Sequence, residues 1–279
     1  MSPTPNPSAA HAMTPATLRT QWQQLPAALR AAIEQHTGRV HRAETISAGL
    51  NATFTARLHT ETGLIFAKGT PSTRAAGQRR EACINPYAQP IAPRLHWHID
   101  IAGWHILGFE HLDGHPAELS PGSDDLPDVT RMLTQLTELK VPTTGCRRIE
   151  DRWADAAKQA DTDPALLAGN HLLHTDLNPH NILITKRGAR LVDWSWPTLG
   201  APWIDTACTA LWLIAEGHTP ADAERWASAH PAWSTAQSAA IDTFTATSAA
   251  LWGQIASNEP RPWKLRVRDA AATWAQHRA

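Results

Sequence analysis

The pattern of apolar residues divides this chain into two unlike parts near residues 110–114. Residues 40–113 consist of short apolar runs typical of β-strands, separated by turn residues and interrupted by one helical segment at about 73–87. After residue 114, apolar residues recur at spacings of three and four, which predicts helices, and only residues 181–193 break that pattern. The sequence therefore predicts an α+β fold with a β-rich amino-terminal lobe and a mainly α-helical carboxy-terminal lobe.

The chain of 279 residues is long enough for one large or two small domains. We assign residues 16–112 to the amino-terminal lobe and residues 113–279 to the carboxy-terminal lobe. Residues 1–15 have neither the basic region nor the apolar region of a secretory signal, and they are predicted to be a disordered tail. A helical pattern follows the tail and is interrupted by Pro26, so two helical pieces are expected there.

Charge and cysteine content exclude several classes of protein. Lys and Arg number 25 and Asp and Glu 26, a balance that argues against a protein that coats nucleic acid or an anionic membrane. The longest mostly apolar stretch, residues 203–215, contains Asp205 and is too short to span a bilayer. Three widely separated cysteines are typical of reduced thiols. We expect a cytoplasmic monomer whose partner is a small molecule, not a nucleic acid or a membrane.

The segment 171–205 contains the residues best suited to chemistry. Two short apolar runs on either side of Arg187 predict a β-hairpin. Asn181 and Asp193 each lie six residues from Arg187, so the hairpin should bring both side chains to its open end. Asp176 lies five residues before Asn181 in a polar loop. Oxygen ligands of this kind suit Mg²⁺ shared with a phosphate, and Asp176 would be free to accept a proton or orient a nucleophile.

Three motifs in this segment resemble those of the aminoglycoside phosphotransferase and choline kinase-like family. Residues 174–181, HTDLNPHN, are similar to the family's H-G-D-x-x-x-x-N loop, and residues 192–194, VDW, are similar to its I-D-W. Residues 200–205, GAPWID, resemble its G-D-P-x-x-D segment. The departures are Thr175 for Gly and Ala201 for Asp, and neither removes a catalytic group.

The resemblance implies a protein-kinase-like fold and transfer of the γ-phosphate of ATP or GTP to a hydroxyl of a small molecule. Asp176 would be the catalytic base or the residue that orients the hydroxyl. Asn181 and Asp193 would hold Mg²⁺. His174 would brace the catalytic loop, and Asp205 would anchor it.

The amino-terminal lobe offers an independent pair of residues that such a fold requires. Lys68, one of five lysines, ends a predicted strand, and Glu81 follows thirteen residues later in the helical segment. A pair of this kind neutralises charge on a nucleotide's phosphates and fixes the lysine. The resemblance, which spans about residues 40–220, implies further nucleotide-binding residues: Ser47, Gly49 and Asn51 in a phosphate-covering loop, and Glu110 and His111 in the hinge.

The acceptor is less constrained than the donor. The resemblance suggests an antibiotic of aminoglycoside, peptide or nucleoside type, hence resistance, but the family also includes kinases of choline, homoserine and sugars. Trp196 and Trp203 follow the predicted Mg²⁺ ligand, and we hypothesise that they form an aromatic acceptor wall. Residues 110–128 hold six acids and no Lys or Arg, which either guide a cationic substrate or cap a helix. Residues 199–279 carry seven acids and six bases, so a strongly acidic pocket for a polycationic aminoglycoside is not evident.

Two other functions follow from the same residues. The first alternative is a pseudokinase that binds a nucleotide without turnover. The presence of a suitable residue at every catalytic position argues against it. His96 with His98, and His171 with His174, suggest a metal-dependent hydrolase, but no third ligand cluster has suitable spacing.

Overall fold

The computed structural model describes residues 19–46 and 52–279. The predicted tail, residues 1–15, lies outside the described residues. So do Ser47, Gly49 and Asn51 of the candidate phosphate-covering loop.

A five-stranded antiparallel sheet forms the amino-terminal lobe. Its strands are β1 (Val40–Thr45), β2 (Phe54–Thr60), β3 (Gly63–Pro71), β4 (Leu95–Ile101) and β5 (Trp104–Glu110). They lie in the order β1-β2-β3-β5-β4. In β4, Trp97 and Ile99 are buried whereas His96 and His98 are exposed, as expected for a strand with one face on a core. The β-rich lobe predicted from the sequence is therefore present.

Two helices accompany this sheet, α1 (Ala27–Thr37) and α2 (Ala76–Ile84). Pro26 stands immediately before α1, and a short 3-10 turn precedes it, so the predicted division into two helical pieces is correct. Leu29 and Ile33 of α1 join the core of the sheet. Glu81 lies on the buried face of α2, and this orientation places its carboxylate beside Lys68.

Seven helices dominate the described part of the chain after residue 114. They are α3 (Leu126–Thr137), α4 (Ile149–Arg152), α5 (Ala154–Gln159), α6 (Ile204–Ala215), α7 (Pro220–Ser228), α8 (Ser238–Asn258) and α9 (Pro262–Arg278). Helix α6 is buried along nearly its whole length, which explains its mostly apolar sequence. None of the helices in the described ranges has the length and apolar character needed to cross a membrane.

Two small sheets also occur in this lobe. They are built from β6 (Gly114–Pro116), β7 (Arg147–Arg148), β8 (His171–Leu173), β9 (Ile182–Thr185), β10 (Gly188–Leu191) and β11 (Thr198–Gly200). The sheets have the orders β10-β9-β6 and β7-β11-β8. The expectation that only residues 181–193 interrupt the helices is therefore wrong. Strands of two or three residues are too short to show an alternating pattern.

The predicted hairpin is formed by β9 and β10, but its register differs by one residue from the expectation. Leu191 pairs with Ile182, so Val192, and not Asp193, stands opposite Asn181. The amide of Val192 donates a hydrogen bond to the Asn181 carbonyl over 2.8 Å. The difference arises because Gly188 begins β10 and leaves a two-residue turn. Asp193 lies one residue beyond the pairing, where it is free to leave the strand direction.

Gly108 of β5 lies where a side chain cannot fit. A Cβ at this position would be 2.2 Å from the indole of Trp97. We expect Gly108→Ala to lower the free energy of unfolding by about 1–3 kcal/mol in urea denaturation, because the ring or the sheet must shift. The control is Gly253→Ala in α8, where nothing lies within 4 Å and stability should be unchanged or slightly higher. Equal stability of the two variants would contradict this assignment.

Candidate active site

A buried lysine joins the sheet, helix α2 and the end of the β9–β10 hairpin. The Nζ of Lys68 lies 2.6 Å from Oε2 of Glu81 and 3.0 Å from Oδ1 of Asp193. Lys68 is 8% exposed and Glu81 3% exposed, so water contributes little to the stability of either charge. The predicted Lys68–Glu81 contact is present. Lys68 also contacts Asp193, which lies 112 residues after Glu81 in the chain. One cation thus faces two carboxylates.

The three charges shift one another's pKa. Burial alone would lower the pKa of Lys68, but the charges of Asp193 and Glu81 outweigh it and raise that pKa above its ordinary value. Burial would raise the pKa of Asp193, but Lys68 and the hydroxyl of Ser195 lower it to about 2. Burial raises the pKa of Glu81 to about 7 against the attraction of Lys68. Lys68 and Asp193 are therefore both ionised near neutral pH.

Asp193 and Asn181 present oxygen atoms that fit a hard cation. Asp193 has φ +64°, a left-handed conformation that Asp adopts more readily than most residues. Its Oδ1 accepts hydrogen bonds from Lys68 and from the Ser195 hydroxyl, over 3.0 and 2.6 Å. Asn181 donates its Nδ2 to the carbonyl of Asp176 over 3.0 Å. Within the described residues, Oδ2 of Asp193 and Oδ1 of Asn181 accept no hydrogen bond, and such a donor set suits Mg²⁺.

His174 connects the candidate catalytic loop to the strand that leads to Asp193. Its Nδ1 accepts from the amide of Asp176 over 3.3 Å. The proton of the neutral ring therefore lies on Nε2, which donates to the carbonyl of Val192 over 3.0 Å. The ring also meets Trp194 edge to face, with centroids 4.8 Å apart. His174 thus contacts both segments that carry the candidate chemistry.

Asp205 holds the same loop from the first turn of α6. One carboxylate oxygen accepts the amide of His174 and the other accepts the amide of Thr175, each over 2.8 Å. Burial raises the pKa of Asp205, while the two amides oppose that rise. Because α6 is buried in the core, these contacts attach the loop backbone to a helix packed on all sides.

Thr175 adopts a backbone conformation that β-branched residues rarely take. Its φ is +64°, at the position where the family motif has Gly. The Thr175 hydroxyl accepts a hydrogen bond from Nη1 of Arg152 over 2.8 Å. The departure from the motif therefore adds a contact that glycine could not make.

Asp176 lies at the edge of a cavity. Its Oδ1 accepts from Nδ2 of Asn178 over 2.9 Å. The cavity measures about 350 Å³, and Asp176, Thr175, Arg152 and Trp196 are among the residues that line it. A partly exposed carboxylate at a cavity of this size can accept a proton from a bound small molecule.

The two candidate hinge residues use their side chains within the protein. The Glu110 amide donates to the Arg94 carbonyl over 2.9 Å, and its carboxylate lies 3.4 Å from Arg190. Nε2 of His111 accepts from Arg57 over 2.8 Å, and burial together with that charge lowers the pKa of His111. Recognition of a nucleotide base at this hinge would therefore rest on backbone groups, and the amide of Glu110 is already engaged.

The structure separates the two tryptophans proposed for the acceptor wall. Trp203 is 3% exposed and packs edge to face against Trp233 and Phe244, with centroids 6.4 and 5.9 Å apart. Trp203 is not among the residues that line the cavity beside Asp176, so the structure gives no support to the prediction that it forms part of the acceptor wall. Trp196 is 46% exposed and lines the cavity beside Asp176.

The histidine pairs and the acidic stretch identified in the sequence do not form a metal site in the described residues. No group of three or more His, Cys, Asp or Glu able to hold a metal ion occurs in the described ranges, so the metal-hydrolase hypothesis finds no site there. Within the acidic stretch 110–128, Asp125 accepts the amide of Glu118, and Asp128 pairs with Arg131. Asp125 directly precedes α3 but makes no side-chain hydrogen bond to the amides of that helix, so these contacts involve the acids in local bonds without capping it.

Three arginines at or near the cavity were not predicted from the sequence. Arg147 and Arg152 line the cavity, and Arg80 lies against the Trp196 ring. They come from α2, β7 and α4, so no single motif unites them. The high arginine content offered no means of distinguishing them.

The profile of the phosphotransferase enzyme family (APH) matches residues 116–238. This segment contains Asp176, Asn181, Asp193 and Asp205. No curated protein matches the sequence significantly.

Solved structures resemble the chain over nearly its whole length. One is the aminoglycoside phosphotransferase from Alicyclobacillus acidocaldarius subsp. acidocaldarius DSM 446, with 15% identity, 95% of this chain and 96% of that chain covered, and a TM-score of 0.63. Another is a thermostable mutant of aminoglycoside phosphotransferase APH(4)-Ia in ternary complex with ADP and hygromycin B, with 11% identity, coverage of 89% and 99%, and a TM-score of 0.58. A third is a choline/ethanolamine kinase family protein from Mesorhizobium loti, with 18% identity, coverage of 90% and 92%, and a TM-score of 0.53. The predicted protein-kinase-like fold and the family resemblance are confirmed.

The two hydrogen bonds of Asp205 can be tested by a nearly isosteric change. Asp205→Asn turns an NH₂ group toward one of two buried amides and removes the charge that both amides contact. We expect the free energy of unfolding to fall by roughly 1–3 kcal/mol in urea denaturation. Asp155→Asn on the exposed surface of α5 is the control and should change stability little. Similar stability of the two variants would show that Asp205 does not hold the loop.

Proposed function

We propose that this chain is a kinase that transfers the γ-phosphoryl group of ATP or GTP to a hydroxyl of a small molecule. The observation that carries the proposal is the contact of Lys68 with both Glu81 and Asp193, close in the fold to a cavity lined by Asp176. The likeness to a phosphotransferase solved with ADP and hygromycin B supports the same conclusion.

On the donor side, Lys68 would contact the phosphates of the nucleotide, with Glu81 fixing the position of the amine. Asn181 and Asp193 would hold Mg²⁺ through the oxygens that accept no hydrogen bond in the described structure. When bound, Mg²⁺ would supply positive charge to the β- and γ-phosphates.

On the acceptor side, Asp176 would lie against the hydroxyl. The acceptor oxygen forms a bond to the γ-phosphorus as the bond from that phosphorus to the β-phosphate oxygen breaks. The nucleoside diphosphate leaves, and the hydroxyl proton passes to Asp176. Asn178 fixes the carboxylate and Asn181 fixes the carbonyl of the same residue, so most of the acceleration would come from positioning and electrostatics.

Two kinds of acceptor are supported by the structural neighbours. The neighbour solved with hygromycin B supports an antibiotic of aminoglycoside type as acceptor, and with it a role in resistance, whereas peptide and nucleoside antibiotics rest on the sequence resemblance alone. The choline/ethanolamine kinase relative supports a metabolite. Both fit a cytoplasmic enzyme, because the three cysteines are free thiols and the donor nucleotide is abundant in that compartment.

The function is tested by a phosphorylation screen. Purified protein is incubated with ATP or GTP and Mg²⁺ against antibiotics, amino alcohols, sugars and hydroxy acids, and products are detected by the added mass of one phosphoryl group. We expect transfer to at least one acceptor and no transfer when Mg²⁺ is chelated. Nucleotide binding without acceptor-dependent consumption in the whole panel would indicate a pseudokinase.

Asp176→Asn tests the role of the carboxylate. The change keeps the size of the side chain but removes its ability to take a proton, so kcat should fall by about 10²- to 10⁴-fold. The affinity for the nucleotide, measured by calorimetry, should stay within about twofold, because Asp176 lies on the acceptor side. Asp155→Asn should keep the original kcat. A near-normal kcat for Asp176→Asn would overturn the assignment.

Trp196→Ala tests the one of the two predicted acceptor-wall tryptophans that lines the cavity. Loss of the exposed ring should raise KM for the acceptor by roughly three- to tenfold and leave KM for the nucleotide unchanged. Thermal unfolding measured in parallel would detect a loss of stability. A similar rise in both KM values would mean that Trp196 does not serve the acceptor in particular.

A further inference from the structure

The cavity beside Asp176 is apolar in most of its wall and positively charged in the rest. Aromatic and aliphatic side chains line most of it, among them Trp153, Trp212, Phe244 and Trp252. Two cations, Arg147 and Arg152, also line it. Among the described residues at the cavity, Asp176 is the single carboxylate, and the proposed function already assigns it to the hydroxyl.

Two arginines lie against the ring of Trp196, and a third, Arg147, lines the same cavity. The guanidinium carbons of Arg80 and Arg152 lie 5.3 and 5.6 Å from the centroid of the Trp196 ring. Arg147 lies close enough for its charge, together with that of Arg80, to add to burial in lowering the pKa of Arg152. Guanidinium groups on an indole are held in place with part of their hydration removed.

In the part of the chain that the structure describes, none of these three arginines lies within 4 Å of a carboxylate. The neighbouring Arg148, by contrast, pairs with Glu150. Arg80 donates to the carbonyl of Ser195, and Arg152 donates from Nη1 to Thr175, Thr198 and the Trp196 carbonyl. These neutral acceptors orient the guanidinium groups but do not balance their charge.

Thr175 helps to orient Arg152. Its hydroxyl accepts from Arg152 although its backbone has a φ of +64°, which glycine would adopt without strain. The same residue donates its amide to Asp205 and precedes Asp176. The position of Arg152 relative to the candidate base, Asp176, is thereby set by adjacent residues of one loop.

We propose that the acceptor alcohol has an apolar, aromatic body and an anionic group, a carboxylate or a phosphate, which binds to Arg147 and Arg152 with Arg80 alongside. This inference rests on the proposed function and specifies its substrate class. The body would fill the cavity, the anion would neutralise the arginines, and the hydroxyl would reach Asp176. A polycationic aminoglycoside would instead meet three like charges and no carboxylate apart from the base.

The test uses benzyl alcohols that differ in one para substituent: carboxylate, phosphate, carboxamide and aminomethyl. Binding is measured by calorimetry on Asp176→Asn with bound ADP and Mg²⁺, so that it does not depend on turnover. We expect the carboxylate or the phosphate probe to bind at least about tenfold more tightly than the amide, the ratio expected for one charge-assisted contact. The two anionic arms show which anion is preferred. Equal affinities, preference for the amine, or no binding of either anion would overturn the proposal.

Arg147→Gln and Arg152→Gln locate the preference. Each should reduce the anion-to-amide ratio by about fivefold or more and leave ADP affinity unchanged. The side chain of Arg147 makes no hydrogen bond within the described residues, so its replacement tests charge even if Arg152→Gln fails to fold. Arg148→Gln, outside the cavity, should keep the ratio. Loss of ADP affinity in the cavity variants, with the ratio unchanged, would assign the arginines to the nucleotide and contradict the proposal.

The wild-type protein separates failure of this inference from failure of the kinase assignment. Transfer to neutral or cationic alcohols, with no preference for anions, would leave the kinase assignment standing and reject the acceptor class. Tight, arginine-dependent binding of the anions without phosphoryl transfer to any alcohol would support the anion site and reject the kinase assignment.

Discussion

The contact of one buried ammonium group with two carboxylates is the constraint on which the site depends. Lys68, Glu81 and Asp193 come from a strand, a helix and the end of a hairpin, and removal of Lys68 would leave two carboxylates side by side without a cation. The three elements must therefore be placed correctly at the same time. The cluster also has one negative charge in excess when all three are ionised, so a bound cation would complete it rather than disturb it.

The rigidity of this arrangement originates in the core of the helical lobe. Helix α6 is buried along its length, and its first turn presents Asp205 to two consecutive amides of the loop. His174 then extends the same support to the carbonyl of Val192, one residue before Asp193. A continuous series of hydrogen bonds thus links the core to the backbone beside both the candidate base and the candidate Mg²⁺ ligand, and in the proposed kinase it would hold these groups in position.

The sequence allowed these parts to be predicted where a periodic pattern or a fixed spacing existed. The long helices, the five-stranded sheet and the Lys68–Glu81 contact are of this kind. The strands β7, β8 and β11 were not predictable, because two or three residues carry no period, yet they are what brings Arg147 alongside Thr198 and the start of the catalytic loop. Trp203 could not be distinguished from Trp196, because an aromatic residue has the same appearance in sequence whether it lines a cleft or fills a core.

Negative and positive side chains predominate in different parts of the site, one proposed for the nucleotide and the other for the acceptor. Around Lys68, carboxylates outnumber cations, as suits a cation-bound nucleotide, whereas at or near the cavity three arginines face one carboxylate. An anionic acceptor beside a γ-phosphate would suffer repulsion unless positive charge lay near both, and Arg152 occupies the boundary between the cavity and the catalytic loop. Because Thr175 contacts Arg152 with its side chain and precedes Asp176 in the chain, recognition of the proposed acceptor and positioning of the candidate base would depend on the same two residues. In the proposed kinase, specificity and reactivity would therefore be coupled through one short segment of backbone.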